Sequence, residues 1–383
     1  MDSFENKLDR MHKTLSCQQP DRVPLFDFFW AEFIDKWRKE KGFGSDANIY
    51  EYYDMDMCLV VPNTDPKLKS YEQIEKGDGY EIFKSGFGCT LKKVDYSPMP
   101  QFLDFSVKSA DEYKDFVLED PNDESRWYEP TANVLCGAGN VEVPSFQDQM
   151  DAAKGKFPTM GIVLEGMEKC WRIRGTEGVL MDMVLERDKL MQFLKRLEEF
   201  EIQLALKQIE KGVDFMLVGG DVAYDKGMFF SPDMWREVFK PLLYNLCKAM
   251  KDAKPDIKLI YHGCGNALPI YEDLIECGLD VYNPLEVKAG IDVVELKQKY
   301  KNKLAFWGNI DVRDVLTGSK EGIRKDVLRK LNAAKGGGYI PGSDHSVPEN
   351  VPVENYDYFI SLVKEYGKYP LELGEFDIPE LDA

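Results

Sequence analysis

Hydrophobic positions along the chain gather into short runs rich in β-branched and aromatic residues, at Val23 to Phe28, Met55 to Val61, Thr159 to Leu164, Asp214 to Val218, Ile257 to His262, Asp280 to Pro284, Leu304 to Gly308 and Gly338 to Pro341. Runs of this length, bounded by polar and turn-forming residues, predict strands, eight in all. Between the later runs the apolar positions recur at helical spacing, over Arg187 to Gly212, Pro232 to Ala253, Ala267 to Cys277, Val293 to Tyr300 and Lys320 to Ala334. Strands alternating with helices require a parallel sheet covered on both faces, and eight units favour closure into an α/β (β/α)8 TIM barrel over an open doubly wound sheet. The open alternative also lacks its signature, since Gly137-Ala138-Gly139 has no third glycine and no clear helix start behind it.

Residues 66–150 break the rhythm. Gly79 to Lys93 alternates like a β-hairpin, Tyr96 to Phe105 sets two prolines among aromatics, and Glu119 to Glu129 is acidic and turn-rich. This predicts a β-rich insertion after the second strand, acting as a lid or wall within one barrel domain that spans residues 1–383. An N-terminal helix is expected over Asp9 to Leu15, with His12 on an exposed face, and the acidic tail 369–383 is expected to be loosely attached or an oligomer arm.

Composition narrows the possible roles. At 383 residues and 44% hydrophobic the chain can bury a large core, and a net charge of −19 argues against binding nucleic acid or an anionic membrane surface. No apolar run approaches the ~18 residues of a membrane span. The start, Met1-Asp2-Ser3-Phe4-Glu5-Asn6, lacks a signal-peptide pattern, so a cytoplasmic location is expected. The eight cysteines contain no Cys-x-x-Cys and are expected to be reduced, mostly as small core residues. The expected partner is a small molecule or another protein.

In a barrel of this kind reacting groups collect at the carboxyl ends of the strands. There the sequence places Asn63 and Asp65, Glu165, Asp221, His262 and Cys264, Asn283, Asn309 and Asp311, and Ser343, Asp344 and His345. His262 and Cys264 stand two apart beside Gly263 and Gly265, which allow the chain to turn sharply enough for both to reach one ion. Imidazole and thiolate suit zinc; a hydrogen-bonded histidine beside a buried thiol is the plainer alternative. His345, past the last predicted strand, faces the fifth across the mouth and supplies a third ligand, so two of the three histidines fall there. Asp221, after two glycines, is a candidate catalytic group or a turn cap. Glu165 is a candidate base or further metal ligand, or else the partner of Arg172 or Arg174.

Several segments resemble the uroporphyrinogen decarboxylase superfamily, which includes the methylcobamide:coenzyme M methyltransferases: Pro20-Asp21-Arg22-Val23-Pro24, Ser231-Pro232-Asp233-Met234-Trp235-Arg236-Glu237, His262-Gly263-Cys264-Gly265-Asn266, Phe306-Trp307-Gly308-Asn309-Ile310-Asp311 and Gly336-Gly337-Gly338-Tyr339-Ile340. The resemblance covers nearly the whole chain and implies a (β/α)8 barrel. In the methyltransferase branch zinc is held by His-x-Cys after strand five and a cysteine after strand eight; here the last position matches His345, where the decarboxylase carries a catalytic histidine. The resemblance implies zinc at His262, Cys264 and His345, and Asn266, Asn309 and Asp311 in these motifs are the expected cofactor-binding residues. The arginine-rich stretch with which the decarboxylase grips its substrate's carboxylates has no counterpart in Asp27-Phe28-Phe29-Trp30-Ala31-Glu32, whose acidic and aromatic character disfavours an anionic tetrapyrrole.

The expected function is therefore a zinc-dependent methyltransferase, moving a methyl group between a small substrate and a corrinoid carried on a separate protein, in a monomer or homodimer. Zinc would activate an acceptor thiol or polarise a methyl-bearing heteroatom. Two histidines and one thiolate leave zinc at about +1. That charge favours an oxygen- or nitrogen-linked methyl donor at least as much as a thiol acceptor. Phe26, Phe28, Phe29, Trp30 and Tyr53 are candidate walls for an apolar substrate. Two rivals are a metal-free lyase using His345 and Asp221 for proton transfer, acting on a small carboxylated substrate, and a non-catalytic barrel that only binds.

Overall fold

The computed structural model describes residues 2–95, 97, 99–133 and 141–381. Its centre is a curled parallel sheet of seven strands: β1 (Cys58–Leu59), β2 (Thr159–Leu164), β3 (Phe215–Gly219), β4 (Lys258–His262), β5 (Val281–Asn283), β6 (Ala305–Ile310) and β7 (Tyr339–Ser343). Each strand pairs with the next in sequence, in parallel throughout. The connections return by helices, consistent with a TIM-barrel-like fold. Alternation divides the strands' side chains between two cores. Met160, Phe215, Leu217, Ile260, Ala305, Trp307 and Ile340 fill one, and Val163, Val218, Leu259, Tyr261, Tyr282 and Tyr339 pack with helical residues in the other.

The first predicted strand is the main difference. Val23 to Phe28 is extended but joins no ladder, because Pro24 has no N–H to give and the Asp27 carboxylate accepts the Ser343 amide (2.9 Å) that backbone pairing would use. The segment still touches both edges of the sheet. Asp56 N donates to the Leu25 carbonyl (2.8 Å) beside β1, and Val347 N donates to the Phe28 carbonyl (2.8 Å) beyond β7.

Three buried tyrosines repeat one interaction between adjacent strands. Tyr261, Tyr282 and Tyr339 donate their hydroxyls to the carbonyls of Gly220, Gly263 and Gly308, each at 2.8 Å. Each bond contributes about 1 kcal/mol and ties one strand to the segment beside it.

Most predicted helices depart from their bounds, three of them substantially, while Arg187 to Gly212 ends at Glu210 and Lys320 to Ala334 ends as a helix at Leu331. The segment Pro232 to Ala253 breaks into Pro232–Val238 and Lys240–Ala253, since Pro241 belongs in a first turn, where no N–H is required. Ala267 to Cys277 becomes a 3-10 turn, Leu268–Ile270, followed by the short helix Tyr271–Glu276. The N-terminal helix is longer than predicted, Phe4–Leu15, and lies across the amino ends of the strands. His12 is thus not on an exposed face: half-buried, it packs on Phe215 with ring centroids 5.1 Å apart, because Met11 and Leu15 turn that side of the helix into the core.

Between β1 and β2 lies an antiparallel sheet of Tyr71–Gly77, Tyr80–Ser85, Thr90–Val94 and Gln101–Asp104, which contains the predicted hairpin. It rests on the helix Gly166–Arg174, where Phe102 meets Trp171 edge-on at 5.5 Å. Gly137-Ala138-Gly139 lies outside the described residues. The tail is docked rather than loose, since Asn332 Nδ2 donates to the Phe376 carbonyl (2.7 Å), Ile378 N donates to Asn332 Oδ1 (2.8 Å), and Leu373 is buried. Among the described residues no helix is long and apolar enough to cross a membrane.

Candidate metal centre at the strand ends

Beyond β4 the chain turns sharply at Gly265, whose φ is +81° and where a Cβ would stand 2.5 Å from Tyr224 N, so only glycine fits. Three successive amides of this turn are each held from a different side. Gly263 N donates to the Asn283 carbonyl (2.8 Å), Cys264 N to Asp221 Oδ1 (2.8 Å) and Gly265 N to Glu286 Oε2 (2.7 Å). The turn presents Cys264 Sγ to His345 Nε2 at 3.7 Å.

A carboxylate completes the group. One ligand atom from each of Cys264, Glu286 and His345 lies within 4.8 Å of the others. Glu286 is buried, and its second oxygen pairs with Lys288 Nζ at 3.0 Å. Asp344 links the two loops that carry Glu286 and His345, accepting from Val287 N and Val312 N, both at 3.0 Å. Trp30 stacks on His345 with centroids 6.2 Å apart and planes at 13°.

His262 lies outside this tight group. Its Nδ1 meets Asn283 Oδ1 at 2.5 Å, and Asn283 Nδ2 is committed to the Trp307 carbonyl (3.1 Å). With the amide oriented in that way, Nδ1 must be the donor, and in the neutral ring Nε2 carries the lone pair. A second-sphere bond of this kind commonly orients a metal-ligating histidine. Phe28 approaches the His262 ring edge-on at 6.0 Å.

The electrostatics fit a bound cation. Burial, reinforced by the charges of Asp221 and Glu286, pushes the Cys264 thiol well above its usual range. Burial and the neighbouring His262 push His345 down to about 4, so its imidazole is neutral near pH 7. A divalent ion amid these groups would reverse the penalty on the thiolate. One sulfur, one carboxylate oxygen and one imidazole, with His262 Nε2 as a fourth donor, make a set that zinc accepts.

Other residues singled out in the sequence have varied surroundings. Asp221 supports Cys264 rather than capping a helix, and burial followed by the Glu168 charge raises its pKa. Glu165 forms no ion pair with Arg172 or Arg174, which bind Glu168 and Asp182 instead. It is buried with Oε1 unpartnered, and burial plus the Glu168 charge lifts it to about 8. Asn266 Nδ2 donates to the Ala289 carbonyl (3.2 Å) and its Oδ1 accepts Leu268 N (3.3 Å). Asn309 bonds Val293 N and the Leu285 and Ile291 carbonyls, and Asp311 accepts Arg313 N and Asp314 N. The polar groups of these three are occupied in holding loops, so a cofactor role for them rests on motif resemblance alone. Asn63 likewise serves the chain, its Oδ1 accepting Asp65 N at 3.0 Å, whereas the buried Asp65 carboxylate has Oδ2 unpartnered. Of the candidate aromatic walls only Phe28 and Trp30 meet the site histidines; Phe26 and Tyr53 are core, and Phe29 packs on Phe33 and Tyr356.

Sequence reasoning missed Glu286 and Glu168. The signal for Glu286 was an acidic residue between apolar neighbours in Pro284-Leu285-Glu286-Val287, just past a strand end.

Comparison with known proteins agrees with this architecture. The family described as Uroporphyrinogen decarboxylase (URO-D) matches residues 151–366. The chain is 27% identical to uroporphyrinogen decarboxylase of Trichodesmium erythraeum over 46% of its own length and 48% of that protein, and 28% identical to that of Hordeum vulgare over 35% and 39%. It thus spans about half, or less, of the curated relatives it matches. A methyltransferase from Methanosarcina mazei superposes with a TM-score of 0.64 at 15% identity, covering 96% of this chain and 99% of that one, a likeness of fold.

Proposed function

The chain belongs to the uroporphyrinogen decarboxylase family, and from that premise we propose that it is a zinc-dependent methyltransferase working between a small substrate and a corrinoid on a partner protein. The observation that carries this reading is the convergence of Cys264, Glu286 and His345, a sulfur, oxygen and nitrogen donor set of the kind zinc takes. The fold likeness to the methyltransferase from Methanosarcina mazei is compatible with it. In this reading residues 22–30 stand in the eighth barrel position, and the inserted sheet walls the mouth.

The chain's own residues have definable tasks. Cys264, Glu286 and His345 would hold the zinc, with His262 Nε2 or the substrate's heteroatom at the remaining position. Zinc there supplies Lewis acidity toward a methyl-bearing heteroatom or an acceptor thiol. Asn283 fixes the His262 tautomer, Asp221 holds the Cys264 amide, and Trp30 limits the tilt of His345. With Glu286 rather than His262 in the set, the formal charge falls from about +1 to zero. Preference for an oxygen- or nitrogen-linked methyl donor then rests on the hard carboxylate oxygen rather than on net charge.

The decarboxylase alternative draws on the relatives' names. Against it stand the absence of arginine in residues 27–32 and the neutrality of His345, which at pH 7 has no proton to donate as an imidazolium. Asp27 repels an anionic substrate only weakly, since it is buried against Ser343 and Tyr356 and lifted by burial to about 7. The deciding experiment purifies the protein without added metal, measures zinc per chain, and follows methyl transfer from a donor panel to cob(I)alamin before and after chelation. About one zinc per chain with chelator-sensitive transfer is expected. Chelator-resistant release of CO2 from a carboxylated substrate would favour the lyase.

A further inference from the structure

We propose that Glu168 is a positioning residue for Cys264, acting through the loop that carries Asp221. The inference rests on the assignment of Cys264 as a metal ligand and adds the device that places it.

Glu168 lies in the first turn of the helix Gly166–Arg174 that follows β2, and it is buried. Oε1 accepts Arg172 Nε (3.0 Å) and Nη2, the usual partner one helical turn away. Oε2 turns elsewhere, accepting Trp171 Nε1 (3.0 Å) and the backbone amide of Asp221 (3.0 Å), two residues past β3. Asp221 Oδ1 then accepts Cys264 N at 2.8 Å, two residues past β4. The segments that follow three consecutive strands are thereby joined through two carboxylates. An ionised carboxylate accepts only, and all four of Glu168's donors suit that state. Burial alone would raise its pKa, but the Arg172 charge and the bonds from Trp171 and Arg172 hold it below the usual range.

A helix salt bridge alone would not engage another loop's backbone. Without Glu168, the Asp221 amide loses its side-chain acceptor and the carboxylate that holds Cys264 loses its own support. The Arg172 guanidinium lies 4.9 Å from the Trp171 ring and 5.6 Å from that of Phe87, and Phe102 of the inserted sheet meets Trp171 at 5.5 Å. The inserted sheet therefore abuts the residues that fix Glu168.

The test compares wild type with Glu168→Ala, Glu168→Gln and Trp171→Phe, each first checked for a cooperative thermal melt. Cobalt(II) affinity and the thiolate-to-cobalt charge-transfer band are measured on loaded protein, and the iodoacetamide alkylation rate of Cys264 is mapped by mass spectrometry on metal-free protein, with Cys58 as internal control. Glu168→Ala is expected to weaken cobalt about tenfold, as loss of second-sphere support does. Its charge-transfer band shifts, and Cys264 alkylates several-fold faster while Cys58 does not. Glu168→Gln, whose amide oxygen can still accept Asp221 N, recovers most of this. Trp171→Phe removes one donor and moves each readout by about two- to threefold. Should Glu168→Ala not fold, the Trp171→Phe result decides alone. Wild-type affinity, spectrum and alkylation rate in the folded variants overturn the proposal. A wild-type protein that binds no cobalt removes the metal reading instead, and the alkylation rates still decide whether Glu168 places Cys264.

Discussion

Replacing Glu286 with alanine separates the ligand set drawn from sequence from the one the fold assembles. Structural zinc sites are worth about 12 kcal/mol, or ~3 kcal/mol for each of four ligands, which corresponds to roughly two orders of magnitude in affinity. Glu286 also accepts the amide of Gly265, a buried residue in the turn that presents Cys264. Orphaning that amide costs a further ~1 to 2 kcal/mol, ~4 to 5 kcal/mol together, so Glu286→Ala is expected to weaken zinc by about three to four orders. Glu286→Gln keeps a carbonyl for Gly265 N and loses only the charged ligand, so it should fall between alanine and wild type. Competition against a chromophoric chelator, with the folded state checked by circular dichroism, reads both. Unchanged affinity in Glu286→Ala together with collapse in His262→Ala would refute the geometry and restore His262, Cys264 and His345 as the trio.

Three further outcomes follow from neighbouring contacts. Asn283→Leu removes the acceptor that fixes the His262 tautomer and should lower zinc affinity about 10- to 100-fold in the same competition assay if Nε2 ligates; no change would mean that His262 is not a ligand. Burial raises Asp27 to about 7 against ~3.9 unfolded, so its folded state binds the extra proton and the associated stability is complete below about pH 4 and lost as pH rises to about 7. Urea denaturation should show wild type losing about 2 kcal/mol relative to Asp27→Asn between pH 5 and pH 8, and parallel profiles would contradict the buried shift. His12→Ala should leave zinc content intact while lowering stability by about 1 kcal/mol through lost packing on Phe215. Because burial lowers the His12 pKa, the wild type should also lose stability as pH falls below ~6.5, a slope that alanine abolishes.

Much of the fold was legible along the chain because parallel strands covered on both faces are continuous apolar runs. Seven of the eight predicted runs overlap the ladder strands, three of which extend one or two residues past the predicted end, and Val293 to Tyr300 is a helix with the predicted ends. The failures have local causes: Pro24 and the Asp27 carboxylate keep residues 23–28 out of the ladder, and Pro241 divides a helix whose periodicity carries straight through it. The candidate site was legible in kind, since few histidines and a cysteine at strand ends are visible without coordinates. Its membership was not. Glu286 reaches Cys264 from the loop after the neighbouring strand, and Glu168 acts through a second residue, so neither has a spacing in sequence that reports the contact. Periodicity records which face of an element meets the core, and that much the sequence determines by itself. Which loops meet above the strand ends depends on how seven strands curl and where glycine lets the chain turn, and only the tertiary structure decides it.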